Sequence, residues 1–261
     1  MGILNITDDS FYSASRTAVA DIPARARQMT CAGADMLDLG ACSTRPGADF
    51  VDEKTETERI TAAVRAIRQA GITVPISIDT FRAQVARAAV AEGADIINDI
   101  SGGDLDLDMF ATVAELKVPY ILMHMRGTPA TMQTLTDYKD VTTEVVADLS
   151  IKIGRLEEAG VADIIVDPGF GFAKTLQQNW RMMAQLEQFA LLGRPVLVGV
   201  SRKSMLTKLL GISADEALTA TAMTSALALE RGAAILRVHD PAEAAQAITI
   251  VNELNSSVCS I

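Results

Sequence analysis

The chain is poor in several things at once. It has only three cysteines in 261 residues, Cys31, Cys42 and Cys259, with neither paired nor metal-type spacing. An odd, scattered set excludes a disulfide framework or zinc ribbon and implies a reducing, cytoplasmic setting. Aromatics are 4% of residues, too few for a platform that stacks single-stranded bases. Basic residues are outnumbered, giving a net charge of -10, which argues against a nucleic-acid-binding face. No apolar run is long enough for a membrane span, and no basic-apolar-small leader opens the chain. There are just two histidines, His124 and His239. An acidic chain that binds a small anion must gather its few cations in one place.

What is present is a repeated alternation. Short apolar runs recur at 1–7, 35–40, 74–80, 94–100, 118–125, 162–169, 194–201 and 233–240. They are too continuously apolar to have one wet face, as expected of parallel strands covered on both sides. Helical stretches lie between them. "DIPARARQMTCAGA" and "FRAQVARAAVAEGA" each stop at glycine-alanine before a strand. "DEKTETERITAAVRAIRQAG" carries acids early and bases late, as the helix dipole prefers. "SADEALTATAMTSALALERGA" opens on a serine expected to cap the helix. Eight alternations in this length predict an α/β fold, a single (β/α)8 TIM barrel spanning 1–261 as one domain. The doubly wound open sheet is the runner-up.

In such a barrel the chemistry sits at the C-terminal ends of the strands. Those ends carry Asn5, Ser43-Thr44-Arg45-Pro46, Asp79, Asn98-Asp99, His124, Asp167, Ser201-Arg202-Lys203, and Arg237 with His239. Each has an ordinary explanation, since an aspartate after a strand often caps a helix or forms a turn. Their convergence on one mouth is what those explanations do not require. Asp79, Asn98 and Asp167 offer acceptors and an amide, which suit a flat ring with a row of N–H donors. Arg45, Arg202, Lys203, Arg237 and His239 offer cations or donors for a phosphorylated or carboxylated ligand. The start of a helix at Ser204 adds backbone N–H groups. Asn5 could hold a metal only through a neutral oxygen, so the ion would be hard, such as Mg2+, and shared with phosphate.

With these residues in view, the chain resembles the dihydropteroate synthase family of the folate pathway. The strings that carry the resemblance are "LNIT-DSF", "GA-STRPGA", "SIDT-RA-VA-AAV", "GADIINDISG", "MHMRGTP-TMQ", "DPGFGF-K", "GVSRKS" and "RVHD", in the family's order and over nearly the whole chain. The resemblance implies an enzyme, a transferase, that joins 6-hydroxymethyl-7,8-dihydropterin diphosphate to p-aminobenzoate. Pyrophosphate leaves by an SN1-like displacement, and sulfonamides compete with p-aminobenzoate. Carried over, it implies that Asp79, Asn98, Asp167 and Lys203 hold the pterin, with Met123 and Phe172 packed near it. Asn5 would bind Mg2+, and Arg237 and His239 would hold the diphosphate. Thr44, Arg45 and Pro46 would cover the p-aminobenzoate site, and Ser204 would meet its carboxylate. The family is typically a homodimer, and neither nucleic acid nor membrane is expected as a partner.

The chain departs from the family pattern in places. The first loop reads "TDDSFYSAS", with Asp8, Ser13, Ala14 and Ser15 where the family has proline, aspartate and two glycines. Cys42 stands where glutamate is common, and Ala173 replaces a glycine. A pterin-binding methyltransferase domain, and a paralogue without turnover or sulfonamide response, are the alternative readings. A phosphate-binding aldolase barrel lacks a clear Schiff-base lysine within a strand.

Overall fold

The computed structural model describes residues 1–6, 21–41 and 51–258. Thr44, Arg45 and Pro46 therefore lie outside the described residues, as do Asp8, Ser13, Ala14, Ser15, Cys42 and Cys259.

Six parallel strands pair in chain order: β1 (Gly2–Asn5), β2 (Leu37–Gly40), β3 (Ile76–Asp79), β4 (Ile96–Asp99), β5 (Tyr120–Met123) and β6 (Ile164–Asp167). A second pair, β7 (Leu197–Val198) and β8 (Ile235–Leu236), completes the ring. Parallel bridges join Val166 to Val196 and Gly2 to Val238. The Ile3 N–H donates to the Val238 carbonyl at 2.8 Å, so the last stave closes on the first. Among the described residues, closure leaves no unpaired sheet edge. Eight strands fall within the eight expected runs. They are shorter than those runs, because ladder pairing ends where the chain turns out of the ring.

The staves are held from outside by α1 (Ile22–Cys31), α2 (Glu53–Gln69), α3 (Ala83–Ala91), α4 (Met109–Leu116), α5 (Val141–Glu158), α6 (Leu176–Ala184), α7 (Ser204–Leu210), α8 (Leu218–Glu230) and α9 (Pro241–Val258). Local sequence sets several of their ends. Asp52 caps α2 by accepting the Thr55 N–H at 3.0 Å. Thr175 and Gln178 form a reciprocal capping box at α6. The expected serine cap of α8 is not found. The helix starts at Leu218 behind Ala217, and Ser213 instead closes a turn with Glu216. The reason is visible nearby: the Arg202 guanidinium takes the Ala214 and Asp215 carbonyls, holding that stretch out of the helix.

Strand alternation divides the molecule into two cores. Leu4, Leu37, Leu39, Ile76, Ile78, Ile97, Tyr120, Leu122, Ile164, Val166 and Leu236 face the helices in one large apolar cluster. Each such side chain contributes about 1.5–3 kcal/mol on burial. The opposite phase faces the barrel axis. Its lower layer is apolar: Met1, Met36, Ile96, Ile121, Ile165, Leu197 and Ile235 form a separate cluster. Two residues further along those strands, the phase changes character. There stand Asp38, Asn98, Met123, Asp167, Gly199 and Arg237, with Asn5 and Asp79 ending β1 and β3.

Candidate active site

The upper interior layer is a network of charge. Asp38, fully buried in the middle of β2, accepts the Arg237 Nε–H at 2.6 Å. The same carboxylate accepts the Asn98 side-chain N–H at 3.2 and 3.3 Å. The Arg237 Nη2 group donates to Asp79 at 2.8 Å. Four side chains from β2, β3, β4 and the end of β8 are thus tied across the barrel.

Two positions in this layer carry no side chain. A Cβ on Gly40 would lie 3.4 Å from the Asp79 Cβ. A Cβ on Gly199 would lie 3.7 Å from Arg237 and 4.0 Å from Asp167 Oδ2. Both glycines keep open the space that the acids and the arginine surround.

The "DPGFGFAK" turn after β6 forms another wall. Asp167 Oδ1 accepts the Gly169 N–H at 2.7 Å. Gly169 has φ +71, and a Cβ there would meet the His124 carbonyl oxygen at 2.0 Å, so only glycine fits. Lys174 is buried with all three donors engaged: the Gly169 carbonyl at 3.0 Å, the Phe172 carbonyl at 3.0 Å and His124 Nδ1 at 3.1 Å. Burial lowers its pKa to about 7. Ala173, where the family has glycine, stands at φ +49, a left-handed conformation that costs a residue with a Cβ about 1–2 kcal/mol. Lys203 reaches across from the far side to donate to the Phe170 carbonyl at 2.5 Å. Its ammonium lies 4.7 Å from the centre of the Phe172 ring. Phe172 packs with Met123, Ile100, Met125, Met132 and Ala173 in a small apolar cluster beside the acids.

Burial dominates the electrostatics. It raises Asp79 to about 7, against the opposing pull of Arg237. It raises Asp167 too, with Lys203 opposing. Lys203 is lowered to about 8 by burial, with Asp167 pulling the other way. Burial also opposes the charge on Arg237, but Asp38 and Asp79 outweigh it and keep the guanidinium charged. Burial, then Arg237, lower His239 to about 3, so the imidazole is neutral.

Of the residues singled out in the sequence, Asp79, Asn98, Met123, Asp167, Phe172, Lys203, Arg237 and His239 lie around this one opening. Asn5 ends β1 in register with Gly40, beside Asp79. Ser204 is exposed at the first residue of α7. Arg202 is a correction. It is buried with Asp240 in a two-bond ion pair at 2.8 and 2.9 Å, and it also donates to the Ala214 and Asp215 carbonyls. Its φ of +55 turns it away from the phase that points Lys203 inward. It is a brace, not a ligand for anions.

Sequence reasoning passed over Asp38 and Lys174 as functional groups, and named Ser201 as a strand-end residue without giving it a role. Asp38 had a usable signal: it shares the inward phase of Gly40 and lies within a strand of leucines, where a carboxylate needs a partner.

No group of three or more His, Cys, Asp or Glu side chains among the described residues could hold a metal ion. A single neutral amide oxygen such as that of Asn5 does fit Mg2+, which keeps most of its ligands as water and phosphate.

The profile of the family described as "Pterin binding enzyme" matches residues 1–239. The dihydropteroate synthase of Synechocystis is 44% identical over 262 residues, covering 97% of this chain and 89% of that protein. A dihydropteroate synthase of Yersinia pestis, solved in complex with a sulfonamide drug, superposes with a TM-score of 0.93 at 36% identity. That superposition covers 98% of this chain and 93% of the other. The Xanthomonas albilineans enzyme, solved with 4-aminobenzoic acid, gives 0.88 at 37% identity over 97% and 92% of the two chains. With a closed barrel, a layer of acids and cations at its mouth, and relatives matched along nearly their whole length, this chain belongs to the dihydropteroate synthases of the pterin-binding enzyme family.

Proposed function

We propose that this dihydropteroate synthase binds 6-hydroxymethyl-7,8-dihydropterin diphosphate on the Asp79, Asn98, Asp167 and Lys203 layer, and that p-aminobenzoate attacks from above. The observation that carries this reading is the opening beside Gly40 and Gly199, faced by Asp79, Arg237 and Asp167. A flat ring with several N–H donors gives the carboxylates the partners that buried acids need. Phe172 and Met123 supply an apolar wall, and the Lys203 ammonium sits where it can donate to a ring acceptor.

The demanding step is loss of diphosphate. Negative charge grows on the leaving oxygens and positive charge on the pterin methylene. Arg237 and neutral His239 donate to the first, and the carboxylates around the ring steady the second. Asn5 would hold Mg2+, which when bound supplies further charge neutralisation on the diphosphate. The aryl amine is uncharged near neutral pH, so it attacks without a strong base and no covalent enzyme intermediate is needed. Thr44, Arg45 and Pro46 are assigned to cover the amine, and Ser204 to meet its carboxylate. Competition by sulfonamides for that site follows from the same assignment.

One domain spans 1–261 in this reading, and the setting is cytoplasmic. No helix of the described residues is long and apolar enough to cross a membrane. A homodimer through α7, α8 and α9 is supported by the exposed apolar side chains of Leu209, Leu210, Met223, Leu227, Ile250 and Leu254.

The test is pyrophosphate release on mixing the two substrates, with and without a sulfonamide, together with calorimetry of the pterin diphosphate. Asp167→Asn or Lys203→Ala should abolish pterin diphosphate binding. Retained affinity in either variant rejects its assignment, and no pyrophosphate from the wild type rejects the reading itself.

A further inference from the structure

Asp38 is the one carboxylate of the network that is sealed from the opening. It is fully buried, lies two strand residues below Gly40, and spends its oxygens on two neighbours, Arg237 and Asn98, that line the opening. An ionised carboxylate accepts hydrogen bonds and donates none. Its contact with Asn98 therefore fixes which end of that amide points where. The NH2 must face Asp38, and the carbonyl oxygen is turned to the other side. A ring N–H meets an acceptor at Asn98, never a donor.

The contact with Arg237 has a second consequence. In this structure Arg237 is shared: Nε on Asp38 and Nη2 on Asp79. Nη2 occupies Asp79 Oδ2, one of the acceptor oxygens that faces the opening. A bound ring, on the reading above, would compete with the guanidinium for Asp79. An arginine released from all its partners would be a costly buried charge. Asp38 prevents that, because its hold is on Nε, the atom about which the guanidinium is hinged to its stem.

We propose that Asp38 is a positioning residue that fixes the polarity of Asn98 and retains Arg237 by its Nε while Nη2 leaves Asp79 for the incoming diphosphate. Asparagine at 38 removes the charge that holds the guanidinium, leaves one neutral oxygen to serve both donors that now share Oδ2, and sets an NH2 against the Asn98 amide in place of Oδ1.

The inference rests on the pterin reading, and the tests separate the two. The first measures the affinity of the pterin diphosphate by calorimetry in wild type, Asp38→Asn, and the swap Asp38→Asn/Asn98→Asp, each with its thermal unfolding curve. Asp38→Asn should bind about tenfold or more weakly. The swap, which restores a carboxylate–amide pair across the same gap, should recover part of that loss. The second follows the Arg237 Nε–H by 15N NMR, assigned through its loss in Arg237→Lys. The resonance should stay protected from exchange both before and after pterin diphosphate is added. Wild type that fails to bind the pterin diphosphate defeats the pterin reading. Wild type that binds, with Asp38→Asn binding equally well, overturns the role of Asp38. So does loss of Nε–H protection on binding, a result that decides the matter even if Asp38→Asn does not fold.

Discussion

Ser201 and His239 exchange two hydrogen bonds. The Ser201 hydroxyl oxygen accepts the His239 backbone N–H at 3.1 Å and lies 2.9 Å from His239 Nδ1. The second contact fits either tautomer of the neutral imidazole: the hydroxyl donates to Nδ1 with the ring proton on Nε2, or accepts an Nδ1–H on its remaining lone pair.

A neutral imidazole predicts a flat pH response. Because the pKa of His239 is lowered to about 3, its charge does not change across the working range. His239→Gln should lower kcat while leaving the shape of the pH–rate profile between about 5 and 9 unchanged. Ser201→Ala should move the imidazole tautomer, read by 15N chemical shifts. A limb that disappears from the profile in His239→Gln would show that the imidazole titrates after all.

Pterin affinity should be bell-shaped with pH. Asp79 must be ionised to accept a ring N–H, and its pKa is raised to about 7. Lys203 must be protonated to donate, and its pKa is lowered to about 8. Affinity should fall below about 7 and again above about 8, as calorimetry across pH 5–10 will read. Stability of the empty enzyme follows the opposite logic. Raised from 3.8, Asp79 holds a proton in the folded state that the unfolded chain has lost, so its contribution declines as pH rises from about 4 to 7. Lowered from 10.5, Lys203 binds fewer protons when folded, so its contribution improves from about 8 to 10.5.

Arg202 should report on stability and not on substrate. Removing one partner of its buried pair, by Arg202→Lys or Asp240→Asn, should cost about 3–5 kcal/mol in denaturant unfolding. Affinity for the pterin diphosphate should stay within about threefold, measured under conditions where the variant is folded. A much larger affinity loss would return Arg202 to the binding site.

Gly169→Ala should be among the most damaging small substitutions. Left-handed strain adds about 1–2 kcal/mol and the clash with the His124 carbonyl about 1–3 more. The turn that supplies an N–H to Asp167 would shift with it, so thermal stability and pterin affinity should fall together.

Much of this was legible in the chain. The eight apolar runs marked the staves, and glycine-alanine stops placed the ends of α1 and α3. Asp79, Asn98, Asp167 and Arg237 stood out because each ends or follows a strand, where a polar residue interrupts an apolar pattern. Asp38 did not, since it sits one turn of the pleat earlier, inside a run that reads as plain core. Arg202 misled for the reverse reason. It neighbours Lys203 in sequence, but a positive φ sends the two side chains in different directions. The start of α8 was displaced because a guanidinium 12 residues away in sequence claims the Ala214 carbonyl, a tertiary contact that no local pattern encodes.

The apolar plug of Ile96, Ile121 and Leu197 beneath the acids has a kinetic meaning. Among the described residues it closes the floor beneath the acids. A ligand resting on the carboxylates, as proposed, would then have to arrive before anything occupied the rim, and could not depart until the rim cleared. A compound that lodges at the rim alone would thus act as a stopper, prolonging the stay of the molecule underneath it.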